Sequence, residues 1–158
     1  MTEIIIENEN NIIKKKIYYI YVDGACSLKK NNGGIGVYCE HLNLDISLCI
    51  NNLFDKKTNS ISELYAVKHA LNILNDLNLS NNNGYIILSD SRYVVESLTN
   101  WIHNWKKNNW LRADKKPILH KDLIIEIYDL MIKLNVSIKW IPREENTIAD
   151  KLAKKSIN

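Results

Sequence analysis

The spacing of hydrophobic and polar residues along this chain predicts five β-strands. The first predicted strand is a nearly continuous apolar run, as expected for a strand that is buried on both faces. The third alternates apolar and polar positions over nine residues, which is typical of an amphipathic strand with one exposed face. The five predicted strands are residues 17–23, 34–40, 42–50, 85–89 and 136–141.

Helical spacing accounts for most of the remaining apolar residues. Apolar positions recur three or four residues apart after Asn59, which predicts a long helix ending near Leu77. Shorter helices are predicted over 91–99, at the start of the segment 101–121, and over 121–134 and 146–156. The resulting order of three strands, helix, strand, helices, strand and helix predicts an α/β fold, a five-stranded mixed sheet flanked by helices.

Length and composition narrow the possibilities further. At 158 residues with a net charge of +3, the chain fits one mildly basic domain, which is compatible with a nucleic-acid partner but does not establish one. Three cysteines without a C-x-x-C pair indicate a reducing compartment, so we expect an intracellular, cytoplasmic protein, with the nucleus or a viral factory still open. No apolar run is long enough to span a membrane. We expect a loose leader over 1–16 and a single domain over 17–158.

Four acidic residues occupy positions from which chemistry is expected. Asp23 and Asp90 each end a predicted strand, Glu63 lies in the first turn of the long helix, and Asp150 lies in the last helix. An α/β fold gathers strand ends and helix starts at one edge of the sheet. Carboxylates gathered there repel one another unless divalent cations lie between them. The pattern therefore predicts a two-metal nuclease site, with ions roughly 3.5–4 Å apart.

Each carboxylate also has an ordinary structural explanation. An Asp-Gly pair is typical of a tight turn, and S-x-x-E is typical of a capping box at a helix start. An aspartate before a helix is a common N-cap, and an aspartate four residues before a lysine forms a surface ion pair. The tight turn would be Asp23-Gly24, and the capping box would be Ser60 with Glu63. The N-cap would be Asp90, and the ion pair would join Asp150 to Lys154.

Short motifs surround the carboxylates in a fixed order. They are DGAC at 23–26, GGIG at 33–36, TN followed by EL within 58–64, SDSRYV at 89–94, WIHNWKK at 101–107 continuing to ADKKP at 113–117, and N-x-x-x-D-x-L-A at 146–153. These motifs resemble those of the type 1 ribonuclease H family, whose members cut the RNA strand of an RNA–DNA hybrid. The resemblance runs from about residue 17 to the C-terminus. The segment at 101–117 resembles the basic handle of the bacterial members.

The segment 101–121, called the handle below, predicts contact with nucleic acid. Six cations stand there against Asp114 alone, and three tryptophans are interleaved with them. Such cations neutralise phosphates and give an affinity that depends on salt but not on base sequence. The tryptophans would form walls of a groove for the DNA strand, or Trp101 and Trp105 would simply pack one helix on the next. The expected binding residues are Trp101, Trp105, Lys106, Lys107, Lys115 and Lys116.

The resemblance also implies an activity. It implies an endoribonuclease whose Asp23, Glu63, Asp90 and Asp150 hold two Mg²⁺ ions, with Mn²⁺ as a substitute, and which leaves 5′-phosphate and 3′-hydroxyl ends. The implied partner is an RNA–DNA hybrid. We expect the protein to be a monomer that binds no membrane and no small-molecule cofactor. Residues lining the minor groove of the hybrid would hydrogen-bond the 2′-hydroxyls of the RNA strand. Two of them, Asn59 and Ser60, also suit helix capping. The implied residues are Gly24, Cys26, Asn59, Ser60, Ser91 and Arg92.

One segment departs from the bacterial pattern. Bacterial members have a longer loop before the last helix that contains a histidine, whereas Ile141 here runs directly into Pro142-Arg143. This shorter loop resembles that of archaeal and plant-like members. Arg143 would then act on the scissile phosphate as a fixed charge, or would pair with a neighbouring glutamate on the surface. The alternatives to the implied activity are another nuclease or strand transferase on the same fold and a hybrid-binding module without catalysis.

Overall fold

The computed structural model describes residues 2–8, 11–53, 58–78 and 83–158, with side chains from Lys15 onward, Asn83 excepted. Among these residues six strands form one sheet. The strands are β1 (Thr2–Asn8), β2 (Asn11–Ser27), β3 (Asn32–Cys39), β4 (Leu44–Cys49), β5 (Asn83–Ser89) and β6 (Ser137–Trp140).

The helices lie where the apolar spacing predicts them, with one addition. A π-helical turn at Ser97–Trp101 joins two short helices, so the helices predicted over 91–99 and at the start of the handle run together to Lys107. A 3₁₀ turn at Arg143–Glu145 precedes the last helix. The helices are α1 (Asn59–Leu77), α2 (Arg92–Glu96), α3 (Ile102–Lys107), α4 (Lys121–Leu134) and α5 (Thr147–Ser156). Of the helices the structure describes, none combines the length and apolar character that crossing a bilayer requires.

The sheet is mixed, as the sequence predicted. Its order is β4-β3-β2-β5-β6; β2 pairs antiparallel with β3 and parallel with β5, and β5 pairs parallel with β6. The sixth strand, β1, lies off this path and pairs antiparallel with the first half of β2. The expectation of a loose leader over 1–16 is therefore wrong at the level of the backbone, because 2–8 and 11–16 form a hairpin that extends the sheet.

The central strand β2 contributes to two separate hydrophobic clusters. Alternate side chains of a strand point to opposite faces, and Tyr18, Ile20 and Val22 belong to the main core with residues of α1 and α4. Ile17 on the other face packs in a smaller cluster with residues of β5 and with Ile141. Full burial of each large aliphatic side chain stabilises the fold by about 1.5–3 kcal/mol, so both faces hold β2 in place.

Small residues bring α5 against the sheet. A Cβ added at Gly36 of β3 would overlap the carbonyl oxygen of Ala149, and one at Gly34 would overlap the Ser156 hydroxyl. Ala149 and Ala153 on the facing side of α5 are fully buried. The close contact fixes the position of α5, and with it the position of Asp150.

Candidate active site

Three of the four predicted carboxylates lie together at one end of the sheet. Asp23 is in β2 opposite Gly36, while Asp90 directly follows the end of β5, where Ser89 pairs with Val22. Glu63 is on the first turns of α1. One oxygen from each of Asp23, Glu63 and Asp90 lies within 4.8 Å of the others. The parallel pairing of β2 with β5 thus brings together two residues that are 67 positions apart in the chain.

A glycine allows Glu63 to approach Asp23. A Cβ at Gly24 would overlap the backbone nitrogen of Glu63 and the carbonyl carbon of Ser62, so no other residue fits between β2 and α1 without a shift of the helix. The Gly24 amide also donates a hydrogen bond of 2.9 Å to Asp23 Oδ1. Gly24 therefore positions both carboxylates through its backbone, in addition to the substrate contact expected from the sequence.

Burial and mutual repulsion make these carboxylates hard to ionise. Desolvation raises the pKa of Asp23 to about 7, with the charges of Asp90 and Asp150 adding to it and bonds from Glu63 and the Gly24 amide opposing it. Desolvation and the Asp23 charge raise the pKa of Glu63 well above its usual value. The pKa of Asp90 is raised by burial, against the opposing effects of Arg143 and Asn146. Bringing three such groups together is unfavourable without a cation.

The donor set fits hard divalent cations. All three groups offer carboxylate oxygens, the ligands that Mg²⁺ and Mn²⁺ prefer. Glu63 Oε2 is buried and has no hydrogen-bond partner, which is costly for a polar atom unless a ligand meets it. The residues present can therefore hold a metal ion, and Glu63 Oε2 is a buried carboxylate oxygen that no protein group satisfies.

Asp150 reaches the same cavity in a different electrostatic setting. Burial alone would raise its pKa, but Lys154 Nζ at 2.6 Å from Oδ2 and Arg143 Nη2 at 3.6 Å from Oδ1 lower it overall. Asp150 is not one of the three mutually close carboxylates. It remains ionised under conditions in which Asp23 is partly protonated, because it alone of the four has two cationic neighbours.

The structure supports one of the four ordinary explanations of the carboxylates and contradicts the other three. Asp23 lies in a paired strand, so the tight turn is wrong; the chain turns at 28–31 instead. Thr58, not Ser60, caps α1 by accepting a bond from the Ile61 amide, and Ser91, not Asp90, caps α2. The ion pair of Asp150 with Lys154 is present. Arg143 pairs with Asp150, not with Glu144 or Glu145.

Asn146 is a site residue whose role the sequence analysis did not identify. It is 1% exposed, and its Nδ2 donates a 2.9 Å hydrogen bond to the Val22 carbonyl, next to Asp23. Its side chain also hydrogen-bonds Asp90, and its carbonyl accepts from the Asp150 amide. Its place in the N-x-x-x-D motif was visible, but nothing in the sequence indicated that its side chain joins β2, Asp90 and α5.

Trp140 supports Asp90 from the neighbouring strand. Its indole Nε1 donates a 3.1 Å hydrogen bond to the Asp90 carbonyl. The guanidinium carbon of Arg92 lies 3.9 Å from the centre of the Trp140 ring, close enough for a cation–π contact. Arg92, expected to contact substrate, is thus held against this ring at the edge of the site.

The cavity around the carboxylates contains part of the expected minor-groove set. Its volume is about 390 Å³, and Ser60 and Arg92 do not line it. The predicted residues that do line it, in addition to all four carboxylates and Arg143, are Gly24, Cys26, Asn59 and Ser91.

The handle separates into a packed part and an exposed part. Trp105 and Trp110 pack against the main core, with ring centroids 6.1 Å apart, while Trp101 stays 40% exposed. Lys106 Nζ lies 4.1 Å from the centre of the Tyr128 ring. The packing alternative therefore holds for Trp105, while Trp101 contacts the Trp105 ring and leaves part of its own surface open. The other exposed binding residues expected here are Lys107, Lys115 and Lys116.

Comparison with known proteins identifies the family to which these features correspond. The family model described as RNase H matches residues 15–158. The chain is 35% identical over 143 residues to a ribonuclease H of Haemophilus influenzae, covering 86% of each protein. It is 36% identical over 148 residues to a ribonuclease H of Orientia tsutsugamushi, covering 91% of this chain and 82% of the relative.

Solved structures show the same fold. LC11-RNase H1, isolated from compost, is 25% identical with a TM-score of 0.66, and the match covers 90% of this chain and 96% of that one. A foamy viral protease–reverse transcriptase in complex with an RNA/DNA hybrid matches with a TM-score of 0.68 at 24% identity. That match covers 88% of this chain but 20% of the viral one.

Proposed function

The chain belongs to the ribonuclease H family, and we propose that it hydrolyses the RNA strand of RNA–DNA hybrids with two divalent cations held by Asp23, Glu63, Asp90 and Asp150. LC11-RNase H1 has been solved with an RNA/DNA hybrid, at 23% identity and a TM-score of 0.61. The single observation that carries the proposal is the group of three carboxylates within 4.8 Å, one of them with a buried oxygen that lacks a partner.

The four carboxylates would divide the task of holding the cations. Asp23 is the best placed to contact both ions, because it is the most buried of the four and lies between Glu63 and Asp150, with both of which it interacts. When bound, two Mg²⁺ or Mn²⁺ ions activate a water for in-line attack and stabilise the departing 3′-oxygen, which leaves a 5′-phosphate. Asn146 and Trp140 keep Asp90 in position while the substrate enters and leaves.

The substrate would contact the surface on both sides of the carboxylates. Gly24, Cys26, Asn59 and Ser91 line the cavity, from which they would meet the 2′-hydroxyls of the RNA strand. The exposed lysines of the handle would contact phosphates of the DNA strand, and Trp101 would border its path. Arg92 and Ser60 would contribute at the margin of this surface.

Arg143 would supply a positive charge near the scissile phosphate. It is 73% exposed, and its guanidinium reaches Asp150 at 3.6 Å across the cavity. A guanidinium cannot give up its proton near neutral pH, so it would stabilise charge and orient a phosphate oxygen without transferring a proton.

We further propose that residues 17–158 form the single catalytic domain and that the enzyme acts as a monomer inside the cell, in the cytoplasm. Cys26, Cys39 and Cys49 are all free thiols, which suits a reducing compartment. Gel filtration with light scattering would test the monomer, with a mass of 18.3 kDa expected.

The activity is tested with an end-labelled RNA strand in an RNA–DNA hybrid, with RNA–RNA and DNA–DNA duplexes in parallel. We expect Mg²⁺-dependent cleavage of the hybrid alone, and loss of cleavage in Asp23→Asn. Tight hybrid binding without cleavage in either Mg²⁺ or Mn²⁺ would contradict the proposal and leave a binding module. Cleavage of the DNA duplex would instead indicate another nuclease on the same fold.

A further inference from the structure

A second cavity lies beside β2 and β3, ahead of the start of α5. Its volume is about 440 Å³, within the range of small-molecule sites, and none of its lining residues lines the carboxylate cavity. The residues that decide its character are Tyr19, Tyr21, Tyr38, Glu40, Glu145 and Ile148.

Aromatic rings form much of the wall. Tyr21 and Tyr38 are paired across the β2–β3 ladder, and their ring centroids lie 6.1 Å apart at an angle of 45°. The face of an aromatic ring carries partial negative charge and attracts a cation positioned over it. Both rings are partly exposed, and among the described residues none of the cation–π contacts involves either of them.

The two side chains of the cavity that carry a fixed charge at neutral pH are acidic, and His41, stacked on Tyr18, also lines it. Glu40 follows the end of β3, and Glu145 ends the 3₁₀ turn before α5; both are exposed. Neither carboxylate has an ion-pair partner within the part of the chain that the structure describes, and no lysine or arginine lines the cavity. The chain as a whole carries a net charge of +3, so this cavity is a local exception on a basic protein. An anionic ligand such as a phosphate would be repelled here.

We propose that this cavity binds a small aliphatic amine with ammonium groups at both ends. Two carboxylates on separate elements suit two positive charges, and the tyrosine rings with Ile148 suit an apolar spacer between them. Each ammonium group would gain from a carboxylate and from a ring face, while the spacer would displace water from apolar surface. A cation with no spacer would use only half of these contacts. The inference is independent of the proposed nuclease activity.

The test titrates the intact protein with diaminohexane and, separately, with hexanediol, an uncharged molecule of the same length. Tyrosine ring resonances would be followed by NMR at neutral pH and low salt. We expect saturable shifts at Tyr21 and Tyr38 with the diamine and none with the diol. Activity is not used as the readout, because amines also bind the phosphates of a nucleic-acid substrate.

Variants of exposed glutamates separate this site from general charge effects. Glu40→Gln combined with Glu145→Gln removes both carboxylates, and we expect diamine affinity to fall by about fivefold or more. Glu144→Gln is the matched control, since it lies in the same turn but does not line the cavity. Its affinity should stay within about twofold of the original.

Three results would overturn the proposal. They are shifts that never saturate, equal shifts with the diol, and an equal loss of affinity in the double variant and in Glu144→Gln. A further variant, Tyr38→Leu, keeps the carboxylates and removes one ring; it should weaken diamine binding by a few-fold. Unchanged binding in this variant would also count against a site built on the rings. Circular dichroism would confirm that each variant is folded.

Discussion

The carboxylate site and the handle depend on different kinds of structure. At the site, buried groups are held by backbone pairing and by a glycine that no larger residue can replace, and the pKa of Asp23 is raised to about 7. In the handle, exposed cations stand on a helix end and a loop, while Ile102 is part of the core and Trp105 and Trp110 pack against it. The site therefore depends on exact placement, whereas the handle depends on the number and sign of its charges.

This contrast has a consequence for substitutions. A change at the site alters groups that are buried, mutually coupled and close to the reaction, so its effect is large and specific. A change in the handle alters one of several exposed charges that are screened by salt, so its effect is smaller and depends on ionic strength.

Glu63→Gln should reduce cleavage on the order of a thousandfold while hybrid binding changes little. The substitution keeps the shape of the side chain but removes the charge that the metal ion requires. Single-turnover cleavage and filter binding would measure the two properties separately. Asp129→Asn, an exposed change on α4, is the matched control and should cleave normally. If Glu63→Gln lost binding as much as cleavage, the site would be a contact surface more than a metal centre.

Metal removal should destabilise the protein more as the pH rises. Because the pKa of Asp23 is raised from 3.8 to about 7, the folded state holds a proton that the unfolded state has lost over that window. In a chelator, the free energy of unfolding should therefore fall between about pH 4 and pH 7, on the order of 2–4 kcal/mol. Glu63 and Asp90 shift in the same direction, and Asp150 in the opposite one.

Denaturant unfolding at several pH values, with and without Mg²⁺, would measure this effect. Mg²⁺ should stabilise the protein more at pH 8 than at pH 5, and Asp23→Asn should lose most of the pH dependence. Asp129→Asn should keep it. If the free energy of unfolding in chelator rose with pH across this window, the carboxylates would not be held together as described.

Lys107→Ala should raise the Michaelis constant by a few-fold and make it depend less on salt. One lost phosphate contact lowers the slope of log affinity against log salt by about one unit. Adding Lys106→Ala should lower it further, although Lys106 also contacts Tyr128. Lys133→Ala, an exposed lysine outside the handle, is the control. An identical salt slope in Lys107→Ala and Lys133→Ala would remove the handle from the binding surface.

Arg143→Ala should lower kcat by about threefold to tenfold with little change in the Michaelis constant. The loss of its charge should also raise the pKa of Asp150, which Arg143 helps to lower, and so move the acidic limb of the pH–rate profile upward. Arg143→Lys keeps the charge and should recover part of both properties. A kcat within about twofold in Arg143→Ala, with an unmoved profile, would leave Arg143 only a surface role.

The predicted elements match the structure best where the apolar pattern is long. The spacing after Asn59 predicts α1 and its end at Leu77, and the run at 17–23 predicts the core of β2. The hairpin of β1 with β2 was missed, because residues 7–16 are mostly polar or basic and their sequence lacks the apolar pattern of a strand, whereas the backbone of β2 pairs with β1. The helix predicted at the start of the handle is α3, but the π-helical turn that makes it continuous with α2 was missed, because such a turn breaks the regular spacing.

The sequence by itself determined the residue types of the site and the elements that carry them. Strand ends at Asp23 and Asp90, a helix start before Glu63 and a last helix containing Asp150 follow from local pattern, because propensity and periodicity are properties of neighbouring residues. The positive charge of the handle also follows from the sequence, because it depends on residue types and not on tertiary contacts.

Only the tertiary structure decided which carboxylates lie together and what surrounds them. It brought Asp23, Glu63 and Asp90 together and placed Arg143 beside Asp150. It also bonded Asn146 to the Val22 carbonyl and set Arg92 against the Trp140 ring. These contacts depend on the parallel pairing of β2 with β5 and on the close approach of α1 and α5 at glycines. Distances between residues far apart in the chain are fixed by packing, which no local pattern encodes.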